Sequence, residues 1–396
     1  MMSGVLYSST LPLENTAEAG YLEQMLNHFA TSYKIYFFQG ILEEVLAGRK
    51  RISMRRASAQ MIASAWYPVI YYHLNLGSMD MLADVIAYLS KQLKVNREIR
   101  KTDLLKFLES CRDETLEKKQ NALLNYVPAR LIRPFYEDRL RSYREEHGIL
   151  KDSQVDVLIQ QYVVSDPGAA LYQIDPERKF LTVSDHWYEY LRSNGAVIQG
   201  WVSYKLIQYL QKRNPSVPAI SSKIFPPEPH DRSLVAARKL WDLVQIEHPI
   251  HDLYTGRKFD EADLREYGGI SIDHFIPWSF VLHNEIWDLC PSFKRVNSSK
   301  LDRLPDRKEY LDHFCDLQYR AFQTVCRHRD LRNMAEEYMT LKPDILLLNE
   351  SETGREEFCR ALRNTIDPLY QIALNQGYGI WKCDRAWISR PESSDH

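Results

Sequence analysis

The amino-acid sequence predicts a mainly α-helical α+β protein: a helical N-terminal domain, then a second domain built on a short β-hairpin with flanking helices. Three observations support this. Apolar residues recur at spacings of three and four over most of the 396 positions. Strand-like runs are few and short. A stretch rich in Pro and Ser, residues 214–232, separates two parts that are each long enough to bury a core.

Residues 1–16 gather Ser, Thr, Pro and Asn and read as a leader. Over 17–47 the apolar set Leu22, Met25, Leu26, Phe29, Tyr33, Tyr36, Phe37, Ile41 and Val45 marks one helix, with Gly48 as its stop. Residues 57–76 read as a buried helix interrupted near Pro68. Ser78 is a candidate cap for a helix over 79–93, and Thr102 for one running to about 124. Arg130, Arg133, Arg139, Arg141 and Arg144 lie on a further helical stretch, so 17–164 reads as one helical domain, suited to binding DNA or a partner or to dimerisation. Residues 165–232 read as a small mixed segment, with strands in ALYQI and KFLTV around a turn at 175–178, then helix to about 213 and the linker. Helices are expected over 233–247, 306–330 and 355–375. The second domain is placed at 233–330, with C-terminal helices packing on it over 331–396 and a frayed tail at 391–396.

Hydrophobic residues make up 44% and charged residues 26%, values of a globular chain. The net charge of −2 excludes a globally basic nucleic-acid coat, so any polyanion site must be a local patch. One candidate is RKRISMRR, residues 49–56, read either as a solvated loop or helix face or as a DNA-backbone contact. The six cysteines show no CxxC spacing, and the start of the chain lacks a basic segment followed by an apolar one. A soluble, cytoplasmic protein with reduced cysteines and no membrane association is expected.

The chemistry concentrates in residues 269–305. Ile270, Ile272, Phe275 and Ile276 suggest a strand presenting Asp273 and His274 near its end, Trp287 to Cys290 a second strand, and 292–301 a short helix with Asn297 and Lys300 on one side. Such a hairpin gathers Asp273, His274 and Asn297 into one pocket. Those residue types suit phosphodiester hydrolysis. A carboxylate and an amide carbonyl hold a hard divalent cation, and a neutral imidazole takes a proton from water. Lys294, Arg295, Lys300, Arg303, Arg307 and Lys308 make the local field positive against only Asp302 and Asp306.

Asp-His-x-x-Pro, ten residues, Asp-Leu, seven residues and Asn-x-x-Lys resembles the pattern of the HNH (ββα-metal) endonuclease family. It is also similar to the HNH domain of CRISPR effector nucleases. The resemblance implies a ββα-metal fold in which Asp273 and Asn297 bind the metal, His274 is the general base, and Lys300 is a basic group on the same helix. It implies Mg²⁺ or Mn²⁺ as cofactor and DNA as partner, with Lys294, Arg295, Arg303 and Arg307 as nucleic-acid contacts. Residues 252–259 match the place where many HNH proteins carry a cysteine-bearing hairpin; the cysteines are missing, so no structural zinc is expected. The middle motif position is usually Asn and here is Asp288, which is expected to accept backbone N–H bonds, to be unable to donate, and to add negative charge near the metal. The long helical part before the motif resembles bacterial HNH proteins assigned to anti-phage defence.

Three readings follow. The first is a metal-dependent DNA endonuclease of defence or restriction, acting as a homodimer or with an activating partner. The second is a binding protein on a degenerate HNH fold, which Asp288 keeps open, and the third an RNA-cleaving toxin. His283 reads as an ordinary loop histidine or a substrate contact. His248 and His251 stand just before the first hairpin, and Trp278 and Trp287 read as packing beneath it.

Overall fold

The computed structural model describes residues 16–27, 31–166, 168–228, 233–350 and 353–387. The leader, apart from Thr16, and the tail at 391–396 lie outside them. The chain divides into two compact units. One runs to Pro215 and takes in Ile220–Pro226; the other comprises Ser216–Ala219 and Pro227–His396.

In the N-terminal unit the helices Tyr33–Leu46 and Met54–Trp66 pack through buried Phe37, Phe38, Ile41, Met61 and Ile62. The single helix expected over 17–47 is two, Thr16–Met25 and Tyr33–Leu46. Between them the Ser32 backbone N–H and hydroxyl both donate to the Asp80 carboxylate, at 2.8 and 2.6 Å. That partner is 48 residues away, beyond the reach of periodicity. The second helix ends at Gly48, whose φ of +83° suits glycine. Asp80 also accepts the Leu82 N–H at 3.1 Å, so it, and not Ser78, caps the helix Met81–Lys91. The helix expected from Thr102 to about 124 likewise splits into Lys101–Ser110 and Glu114–Leu123, the second capped by Asp113.

The basic run 49–56 is partly tied down, with Arg49 and Arg51 still exposed. Arg49 and Arg56 converge on fully buried Glu44, Lys50 pairs with Asp185, and Arg55 donates to the carbonyls of Leu108 and Cys111. Its centre forms strand β1 (Arg51–Ser53), which joins the two expected strands, β2 (Tyr172–Ile174) and β3 (Phe180–Val183), in an antiparallel sheet of order β1-β3-β2. This pairing ties 172–183 to the helical part, so these residues do not stand apart as a separate mixed segment.

In the C-terminal unit, helix Val235–Glu247 leads to a loop and the helix Glu261–Tyr267. Then come β4 (Ile270–His274) and β5 (Leu289–Phe293), paired antiparallel, and the short helix Lys294–Lys300. β6 (Leu304–Pro305) pairs in parallel with β7 (Ile380–Trp381). Helices Arg307–Arg327, Arg332–Met339 and Gly354–Asn375 back the hairpin, with Phe275 stacked on Phe314 at 4.2 Å between ring centroids. All six cysteines are free. Among the described residues no helix is long and apolar enough to cross a membrane.

The caps separate by mutation. Asp80→Ala is expected to lower the unfolding free energy of the full chain by about 2 kcal/mol or more, since it removes a cap and the tether on Ser32 together. Ser78→Ala is expected to change it by less than about 0.5 kcal/mol. Urea unfolding followed by circular dichroism reads both.

Candidate functional site

β5 passes into the helix Lys294–Lys300 without a loop, so the helix lies directly against β4. Asn297 and Lys300, one turn apart, both reach that strand. The Asn297 amide N–H groups donate to Ser271 Oγ at 3.1 Å and the Ile272 carbonyl at 3.3 Å. Lys300, fully buried, donates to Asp273 Oδ1 at 3.0 Å and to the His274 carbonyl at 2.7 Å. The register pairs Asp273 with Cys290 and His274 with Leu289. Lys300 therefore meets Asp273 and His274 at the loop end of the hairpin, while Asn297 reaches the same strand at Ser271 and Ile272.

Asp273 is 4% exposed. Burial pushes its carboxyl up, against the Lys300 ammonium and the Tyr254 hydroxyl, which favour the charged form. Tyr254 donates to Oδ2 at 2.5 Å. Its position is set by Asp252. One Asp252 oxygen accepts the N–H groups of Tyr254 and Thr255 and the Thr255 hydroxyl, and the other accepts the Phe293 N–H at 3.0 Å. The turn closes at Gly256, at φ +69°. The stretch where a cysteine hairpin was looked for thus delivers a tyrosine to the carboxylate.

His274 Nε2 lies 3.0 Å from Asn284 Oδ1. A carbonyl oxygen only accepts, so Nε2 carries the proton and Nδ1 keeps its lone pair. Burial holds the imidazole down to about 3, the Asn284 bond opposes this, and the Lys300 charge adds to it. The ring is neutral at ordinary pH.

Asp288 requires a correction. It is fully buried, and burial drives its carboxyl well above the carboxylate range. That shift favours the protonated, neutral carboxyl over the negative charge expected there, and its Oδ2 is buried with no hydrogen-bond partner among the described residues. Its Oδ1 accepts the Ile276 N–H at 2.9 Å and its backbone carbonyl the Phe275 N–H at 2.8 Å, which fixes the chain just after His274.

Spacing alone did not find several supporting residues. Gln318, fully buried, donates to the carbonyls of Ile286 and Leu289 at 3.1 and 2.6 Å and accepts from the Tyr338 hydroxyl. Glu337 accepts the Ile286 N–H at 2.7 Å. Asn284, Tyr254 and these three carry no local signal, since each acts through a partner more than nine residues away. Trp287 packs beneath the hairpin and donates to Thr340. His283, held down to about 4 by burial, accepts the Glu285 N–H and shapes the loop. His248 sits with Arg327 and Glu247, and His251 with Lys258.

Lys294 and Arg295 are exposed, and the Arg295 guanidinium lies 5.3 Å from the Trp387 ring. Arg303 instead folds back on the carbonyls of Ser299 and Lys300. Arg307 pairs with Asp367 at 2.8 Å, a half-exposed bridge of little strength that leaves the charge available to another anion.

The donor set fits a hard divalent cation. Mg²⁺ needs only one or two protein oxygens and keeps its waters; Asp273 offers a carboxylate whose oxygens accept from Lys300 and Tyr254, and Asn297 an amide whose nitrogen is anchored on β4. Among the described residues no group of three or more His, Cys, Asp or Glu is arranged to hold a metal ion.

Residues 252–306 match a family model described as HNH endonuclease. The matched span runs from the Asp252 turn through the hairpin and short helix to Asp306, and HNH nucleases are generally dependent on a divalent metal. No curated protein and no solved structure matches the chain significantly.

The neutral Asp288 has a pH signature. Its folded pKa lies above the unfolded value of about 4, so its contribution to stability is complete below that pH and is lost as pH rises towards the folded pKa. Asp288→Asn lacks this loss. Its Tm is expected to gain on wild type as pH is raised from about 4 to about 8, while Asp288→Leu, which leaves the buried Ile276 N–H without its acceptor, is expected to lose about 1–3 kcal/mol. A Tm difference that shrinks with pH would mean an ionised Asp288.

Proposed function

We propose that the HNH domain at 252–306 makes this chain a Mg²⁺- or Mn²⁺-dependent endonuclease that hydrolyses DNA phosphodiester bonds with His274 as general base. The observation that supports this best is the His274 ring: neutral, fixed through Nε2 by Asn284, and set beside a carboxylate and an amide that suit a hard cation.

Asp273 and Asn297 would hold the cation, which supplies stabilisation of the charge that develops on the phosphate and the leaving 3′-oxygen. Lys294 and Arg295 bind flanking phosphates. Asn284 holds the imidazole so that Nδ1 takes the proton of the attacking water. A docked phosphodiester anion beside the ring favours the imidazolium, which raises the basicity of His274 at the moment it is needed. Lys300 and Tyr254 keep the Asp273 carboxylate in one orientation. The ends formed are 5′-phosphate and 3′-hydroxyl. One such site cuts one strand; a double-strand break takes a homodimer or two visits, and a role in anti-phage defence or restriction belongs to the same reading.

Supercoiled plasmid tests the proposal. Nicking is expected with Mg²⁺ or Mn²⁺ and not with EDTA, and His274→Ala is expected to lower it by about a hundredfold or more. Wild type that binds DNA but cuts it with neither metal would overturn the reading. Asn284→Ala is expected to lower kcat by about tenfold with little change in KM, since it loosens the ring without touching substrate; an unchanged kcat would remove Asn284 from the mechanism.

A further inference from the structure

The N-terminal unit holds a cavity of about 460 Å³ unconnected with any residue of the HNH motif. Its floor carries three cations. Arg130 is matched by Asp156 at 3.3 Å and Asp152 at 3.9 Å, and Arg133 by Glu137 at 3.1 Å. Lys34 is not matched: it forms no hydrogen bond or ion pair among the described residues, it is half-buried, and the guanidinium charges of Arg133 and Arg130 act on it. An ammonium withdrawn from water without a counter-charge lowers stability. Its placement here is accounted for by an anion that comes from outside.

The rest of the cavity describes the remainder of that ligand. Leu123 and Val155 contribute to an apolar lining. Tyr126, 54% exposed, stands in the wall with the Arg130 guanidinium 4.6 Å from its ring centroid, a flat cationic and aromatic surface on which a planar ring can lie. The volume falls within the range of small-molecule sites, about 300–1,000 Å³, and exceeds what one phosphate fills. We propose that this cavity binds a small phosphate ester with a planar ring, a ligand of the nucleotide class, with Lys34 and Arg133 on the phosphate and Tyr126 and Arg130 on the ring.

This site is independent of the nuclease reading, and its test is designed to keep the two apart. Calorimetric titration of the full chain with adenosine diphosphate in EDTA is expected to show saturable binding. Adenosine and inorganic phosphate, each offering half of the ligand, are expected to bind at least about tenfold more weakly. Lys34→Met is expected to weaken adenosine diphosphate by at least about tenfold while the ligand-free Tm stays level or rises. Tyr126→Ala is expected to weaken the diphosphate and leave phosphate alone unaffected. The proposal is overturned if adenosine diphosphate does not bind saturably, if Lys34→Met binds it as wild type does, or if Asp273→Asn abolishes binding that Lys34→Met leaves intact. Phosphate alone binding as tightly as the diphosphate would overturn the assignment of the ring.

Discussion

The contact between Lys300 and Asp273 is the constraint around which the hairpin is arranged. Two opposite charges lie 3.0 Å apart in a protein interior, and each alone would cost several kcal/mol to keep there. Their neighbours make the arrangement tenable. The ammonium also donates to the His274 carbonyl, and the second carboxylate oxygen takes the Tyr254 hydroxyl. Each of these partners imposes a requirement on the backbone. Lys300 reaches Asp273 only because the short helix starts at the last residue of β5. Tyr254 reaches it only because Asp252 ties its turn to the Phe293 N–H at that same junction. The carboxylate is thereby held in one orientation.

A second set of contacts governs His274. The loop between β4 and β5 is fastened on its inner side by Asp288 and on its outer side by Gln318, Tyr338 and Glu337. The last three lie on helices beyond the span 252–306 that carries the family match. A unit of two five-residue strands and a seven-residue helix buries too little apolar surface to be stable alone. The following helices supply its core and hold the loop that presents Asn284 to the imidazole.

The sequence made the hairpin legible because its signals are local. Alternating apolar residues marked β4, and the i, i+3 spacing of Asn297 and Lys300 put both on one side of a short helix. What escaped is long-range. The break at Ser32 depends on Asp80, and β1 was hidden inside a basic run in which Arg49 and Arg56 answer to Glu44. Tyr254 and Gln318 act on residues 19 and 29 or more positions away. Asp288 shows a different limit: the sequence supplies a carboxyl group, but it is complete burial that pushes it towards the protonated form.

The central claim is that Asp273 and Asn297 form a divalent-cation site in the folded chain. Titration of the metal-free full-length protein with Mn²⁺, followed by the loss of the free-ion electron paramagnetic resonance signal, tests it without recourse to activity. The account predicts one saturable site per chain, abolished by Asp273→Asn and weakened by Asn297→Ala, with the His274→Ala protein still binding. Mn²⁺ binding that survives Asp273→Asn, or no saturable binding by the wild-type chain, would contradict it.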